Sequence, residues 1–119
     1  FLLGGPGETL RTIDETLDNA EGLVGTVLFF YCGVRIYPHT PLMDIALAEG
    51  QIGAADDLLE PVFYRPPALE GVDVDRHVLA RGRKRMNWIV GGMGGKLVRI
   101  VSAMHARGHV GPLWEILVR

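Results

Sequence analysis

A strand that runs through a glycine turn into a helix, and from there into a second uncharged strand, constrains this chain more than any other feature. Phe1-Leu2-Leu3 is continuously apolar, as befits a strand buried on both faces. Gly4-Gly5-Pro6-Gly7 ends it. From Thr9 to about Ala20, apolar Leu10, Ile13, Leu17 and Ala20 recur at helical steps, with Glu8, Asp14 and Glu15 near the start, where the helix dipole favours negative charge. Thr26 to Cys32 is rich in β-branched and aromatic residues and carries no charge; Val34-Arg35-Ile36-Tyr37 extends it past Gly33, where a bulge is expected. Two interior strands joined by one helix form a βαβ unit with a right-handed crossover.

The next signals are helical and then irregular. Thr40-Pro41 supplies an N-cap and a first-turn proline, Leu42, Ile45 and Ala46 share a face, and Gly50 stops the helix. Residues 51–72 have no sustained period and contain Pro61, Pro66 and Pro67, so they read as a connection with one short extended piece, Pro61 to Tyr64. A loop of that length in a small domain is expected to cover something. A helix is expected from about Asp73 to Met86, weakened at Gly82. Another is expected along Leu97, Ile100, Val101 and Met104 as far as Gly108, and Gly111 to Trp114 reads as a terminal turn or short helix. The fold class is therefore α/β, in the order β-α-β-α with a helical extension. Two parallel strands leave edges unpaired and apolar faces bare, so the sheet is expected to be part of a larger one, and the isolated chain is expected to self-associate.

Bulk properties narrow the function classes. At 119 residues, 48% apolar and 22% charged, the chain has the size and make-up of one globular domain. A net charge of −2 gives no electrostatic reason to expect nucleic acid or an anionic membrane as partner. The apolar run Leu23 to Val34 is interrupted by Gly25, Thr26 and Gly33 and falls short of the ~20 residues a membrane helix needs. No secretory signal pattern stands at the start, and Cys32 is the only cysteine, which leaves no disulfide framework; a reducing cytoplasm is the expected setting.

Each candidate for chemistry has a plainer reading. Gly4 to Thr9 has the layout of a backbone anion cradle at a helix start, but it lacks the Lys and Ser/Thr of a P-loop and does not fit G-x-G-x-x-G; a tight strand-to-helix turn is the simpler account. Gly91 to Lys96 fails the P-loop spacing, because Val90 stands where a glycine is required and Leu97 follows the lysine, so a joint between helices is expected. His39, His77, His105 and His109 lack metal-ligand spacing and read as surface or loop residues. Cys32 sits in the most apolar run and reads as an inert thiol. Glu8, Arg35 and Tyr37 form the most informative group, because Glu8 stands at the exit of the first strand and Arg35 and Tyr37 near the exit of the second, at the carboxyl ends where parallel sheets bind ligands.

These residues also carry a family likeness. Leu3-x-Gly5-x-x-Glu8, within FLLGGPGET, resembles the glycine-and-glutamate motif on the fifth strand of radical S-adenosylmethionine enzymes, and VRIYPHTPL at 34–42 resembles the sixth-strand segment that follows it. The likeness is to the cobalamin-binding, Fe-S oxidoreductase type, in which R-I-Y-P-G-T-P-L and a later D-D-L-L-E-P-V-F-Y recur; the latter stands intact as Asp56 to Tyr64. It covers about the first 67 residues, and Gly111-Pro112-Leu113-Trp114 is similar too.

The resemblance implies a partial TIM-like barrel: residues 1–67 as its last strands and helices, residues 68–119 as a helical C-terminal extension. It implies that Leu3 packs on the adenine of S-adenosylmethionine, that the turn Gly5 to Glu8 shapes the cofactor wall, and that residues near Arg35 and Tyr37 contact the rest of that cofactor. A [4Fe-4S] cluster and a cobalamin would belong to the rest of the parent chain, since the C-x-x-x-C-x-x-C loop is absent and one cysteine cannot hold the cluster. The parent would begin by reductive cleavage of S-adenosylmethionine to a 5′-deoxyadenosyl radical. His39 replaces the family's glycine, so a left-handed backbone there would be strained. The alternatives are a non-catalytic α/β module whose glycine turn binds an anion, and a dimerisation module.

Overall fold

The structure is a computed structural model that describes residues 1–91, 95–111, 117 and 118. It is a mixed α/β chain built on a parallel sheet of three strands: β1 (Leu2–Leu3), β2 (Leu28–Cys32) and β3 (Trp88–Val90), in the order β1-β2-β3. Leu2 pairs with Tyr31 and Leu3 with Cys32, while Leu28, Phe29 and Phe30 face Trp88, Ile89 and Val90.

Local chemistry sets the helices. The first, α1 (Leu10–Glu21), starts at Thr9, whose hydroxyl accepts from Thr12 N–H while the Thr12 hydroxyl accepts from Thr9 N–H, so two orphan donors are satisfied reciprocally. Next, α2 (Pro41–Ala48) begins at the Thr40 cap with Pro41 in its first turn, as the sequence implies, and Gly50 follows at φ 70°. Two more α-helices follow, α3 (Val74–Arg81) and α4 (Gly95–Ala106).

Progress through the sheet is always in one direction, from β1 to β2 to β3. Right-handed crossovers then put both connecting helices on the same face. The packing agrees: Ile13, Leu17 and Ala20 of α1, Val78 of α3 and Leu69 form one buried cluster with Leu3, Leu28, Phe30 and Trp88. The opposite face is left open at Leu2 and Tyr31, which are 59% and 48% exposed although they are register partners.

Gly33 divides what the sequence presents as one long strand. At φ 108° it turns the chain out of the parallel sheet, and a Cβ there would lie 3.3 Å from Phe63 Cδ1. Val34–Arg35 instead pairs antiparallel with Phe63–Tyr64, the extended piece expected between Pro61 and Tyr64. Under this ribbon lies a second cluster of Ile36, Ala46, Ile52, Leu58 and Tyr64. The long connection is pinned by Gln51, whose side-chain oxygen accepts from Arg65 N–H and whose amide donates to Arg65 C=O and Glu49, while Tyr64 O–H donates to the same Glu49.

Three expectations need correction. The segment after residue 67 is not purely helical, because Trp88–Val90 is the third sheet strand. The helix expected to reach Met86 ends at Arg81, with Gly82 as its cap: Trp88 packs against Gly82 so closely that a Cβ would meet Cε3 at 3.0 Å. Gly91 therefore starts a strand-to-helix joint rather than one between helices; residues 92–94, and most of the expected turn at 111–114, lie outside the described residues. The Cα radius of gyration is 17.1 Å, against about 13.5 Å for a compact chain of this length, in keeping with two small cores and an open sheet face.

Candidate functional site

The carboxyl ends of the parallel strands gather the residues best placed for a ligand. Gly4, at φ 95°, follows β1 and comes so close to the end of β2 that a Cβ would lie 3.3 Å from Gly33 N. Only glycine permits that approach. The turn then presents two backbone N–H groups, of Gly4 and Gly5, to one oxygen of Glu8; the Gly5 bond measures 2.9 Å. The glycine turn is thus an anion cradle whose anion is the chain's own carboxylate. Glu8 holds the turn shut, and the donors that an outside anion would need are already used.

Leu3 is 1% exposed and belongs to the helix-covered core, so its side chain faces α1 and not the open side of the sheet. Leu2, one residue earlier, is the apolar side chain on the open face.

Arg35 and Tyr37 are brought together. The Arg35 guanidinium lies over the Tyr37 ring at 4.8 Å from its centroid, a cation–π contact. Its Nε is the one buried side-chain polar atom without a hydrogen-bond partner among the described residues. A buried donor without a partner costs on the order of 1–3 kcal/mol, and an added acceptor recovers it. Tyr37 is half exposed, so its ring meets solvent while the Arg35 Nε beside it does not. Among the described residues no ion pair joins Arg35 to Glu8, and these remain two separate features of the rim.

Cys32 ends β2 between them. Burial, and then the charge and hydrogen bond of Asp75 with further contributions from Glu8 and Asp73, pushes its thiol up to about 12. A thiol held protonated at neutral pH is neither a nucleophile nor a ready metal ligand, which agrees with the inert role read from the sequence. Asp73 caps α3 through Arg76 N–H, and Asp75 lies 3.9 Å from where a Gly91 Cβ would be, so α3 contributes two carboxylates to the rim. In the sequence they read only as a helix start; their nearness to Cys32 depends on a pairing of β2 with β3 that the sequence does not announce. Among the described residues no group of three or more His, Cys, Asp or Glu is placed to hold a metal ion. His77 bonds Asp14 at 2.7 Å and ties α3 to α1.

His39 adopts φ 60°, a left-handed conformation, and sits exposed between Tyr37 and the Thr40 cap. No helix among the described residues is long and apolar enough to cross a membrane. In comparisons with known proteins, the chain matches no protein-family model, no curated protein and no solved structure.

Proposed function

We infer that the chain serves as the closing part of a radical S-adenosylmethionine barrel and contributes to binding that cofactor within a larger, cytoplasmic enzyme. The observation that carries the reading is the Arg35–Tyr37 pair: an unpartnered buried Nε beside an open aromatic face, beyond the carboxyl end of β2. A carboxylate suits the guanidinium, whose buried Nε gains an acceptor if the side chain swings out to meet it, an adenine or a sulfonium suits the ring, and S-adenosylmethionine carries all of these. The one-directional strand order, with α1 and α3 packed on one face of the sheet and Leu2 and Tyr31 exposed on the other, is a second support, since the helices of a closed barrel lie outside its strands.

The residues do not fit every group the likeness implies. Cys32 is a single, protonated thiol, so a [4Fe-4S] cluster has no ligand set here, and no residue is tied to cobalamin. S-Adenosylmethionine, when bound and cleaved by reduction, supplies a carbon-centred radical; that step belongs to the rest of the parent chain. In this reading Arg35 holds and orients, Tyr37 stacks, and Glu8 keeps the Gly4–Gly5 turn in shape.

The test is a two-dimensional NMR titration with S-adenosylmethionine. Shifts confined to Gly33–Tyr37 and lost in Arg35→Ala are expected; saturation elsewhere, or none at millimolar ligand, refutes the role. A second reading, a dimerisation module, is favoured by the exposed Leu2–Tyr31 face and the open sheet edges. It predicts a concentration-dependent mass in sedimentation that Tyr31→Lys reduces to the monomer, and a single monomeric species at all concentrations excludes it.

A further inference from the structure

The opposite, amino end of the sheet carries a feature that this reading leaves unused. Between α3 and β3 the chain reads Arg81-Gly82-Arg83-Lys84-Arg85, and these side chains with Ala80 line a cavity of about 420 Å³. The four cations are not equivalent. Arg81 bonds Asp18 and, through Nε at 2.9 Å, Glu21; Arg85 bonds Glu21 at 2.9 Å and lies over the Trp88 ring. The α1 carboxylates, with the buried ring beneath, hold these two arginines as fixed walls. The side chains of Arg83 and Lys84 are exposed and have no ion pair or hydrogen bond among the described residues. Four cations against two carboxylates leave the cavity with an excess of two positive charges, in a chain whose net charge is −2.

We propose that this cavity binds a phosphate group. A phosphate monoester carries about two negative charges near neutral pH, which matches the local excess, and inorganic pyrophosphate presents the same oxygens with a somewhat larger charge. Guanidinium forks suit its oxygens bidentately, and a lysine adds a mobile point charge. A concavity of this size takes a small phosphate-bearing molecule or a single lipid headgroup. The neighbouring tip Leu23–Val24, 46% and 88% exposed, is fastened beside the cavity by the Glu21 pairs and by Asn87, whose amide donates to Thr26 C=O, so either source has room.

The experiment titrates the chain with sodium pyrophosphate by calorimetry at low and at near-physiological salt, and in parallel measures its uptake onto phosphatidylcholine vesicles with and without phosphatidic acid. Two variants of equal charge are compared: Arg83→Ala/Lys84→Ala at the cavity, and Arg76→Ala/Arg107→Ala, exposed and outside its lining. Saturable binding of pyrophosphate or of phosphatidate vesicles is expected, at least ten-fold weaker in the first variant and within two-fold of the parent in the second; the arm that binds identifies the source. Absence of saturable binding in both arms overturns the proposal. So does an equal loss in the two variants, because attraction would then follow net charge and not this cavity.

Discussion

Glu8 offers the sharpest test of what the glycine turn is for. Its carboxylate accepts from Gly4 N–H and Gly5 N–H, and Gly4 is buried where β1 meets β2. Replacing Glu8 by Ala leaves both donors without their charged acceptor. Hydrogen bonds to a charged group contribute about 1.5–3 kcal/mol each when sheltered, and this site is half-buried, so a total loss of about 2–3 kcal/mol is expected. With a urea slope of about 1–1.5 kcal/mol/M for a chain of this size, the unfolding midpoint should fall by about 2 M. Glu8→Gln keeps a neutral oxygen on the same stem and should lose roughly half as much. The assay is equilibrium urea unfolding followed by circular dichroism and by Trp fluorescence. A Glu8→Ala midpoint within 0.3 M of the parent, taken as roughly the error of such a measurement, would show that solvent replaces the carboxylate at no cost. The turn would then be an open cradle and the anion-binding alternative would regain its basis.

Other perturbations separate further claims. His39→Gly relieves a left-handed φ of 60° at the cost of backbone entropy, so the thermal midpoint should stay level or rise, by up to about 1 kcal/mol of stability; a drop larger than that would mean the imidazole makes a contact of its own. Gly82→Ala drives a methyl to 3.0 Å from Trp88 Cε3 and should destabilise by about 1–3 kcal/mol with a change in Trp fluorescence, whereas unchanged stability would show that Trp88 shifts freely. The Cys32 thiol keeps its proton to about 12 in the fold but ionises near 9.0 when unfolded, so its contribution is intact below pH 9 and fades as pH rises from there toward 12. Iodoacetamide labelling at pH 8 should accordingly be slow in the native chain and fast in urea, and Asp75→Asn should quicken the native rate; equal native and denatured rates would contradict the assignment.

The family likeness and the physical reading of the residues part company at β1. The likeness would have Leu3 meet the cofactor, whereas α1 packs on the face to which Leu3 points, and a strand of alternating sides offers its neighbour Leu2 to the other. Arg35 kept its place in the candidate site for the opposite reason. The left-handed Gly33 turns the chain out of the parallel sheet, and Arg35 lands against Tyr37 with its Nε buried.

What the chain wrote into its own sequence is what neighbours within four residues decide: the Thr9 and Thr40 caps, Pro41 in a first turn, the helical spacing of Ile13 and Leu17, and the glycines that end β1. Tertiary structure decided what depends on distant partners. Trp88–Val90 is made of strand-forming residues but is only three long and follows a basic run, so what makes it a strand is β2, which offers its free edge to it. The side of the sheet that each β1 residue faces was fixed by where α1 came to rest. The cavity at Arg81–Arg85 exists because α1 carboxylates hold two arginines apart from their neighbours, across more than sixty residues of chain in the case of Arg81 and Asp18.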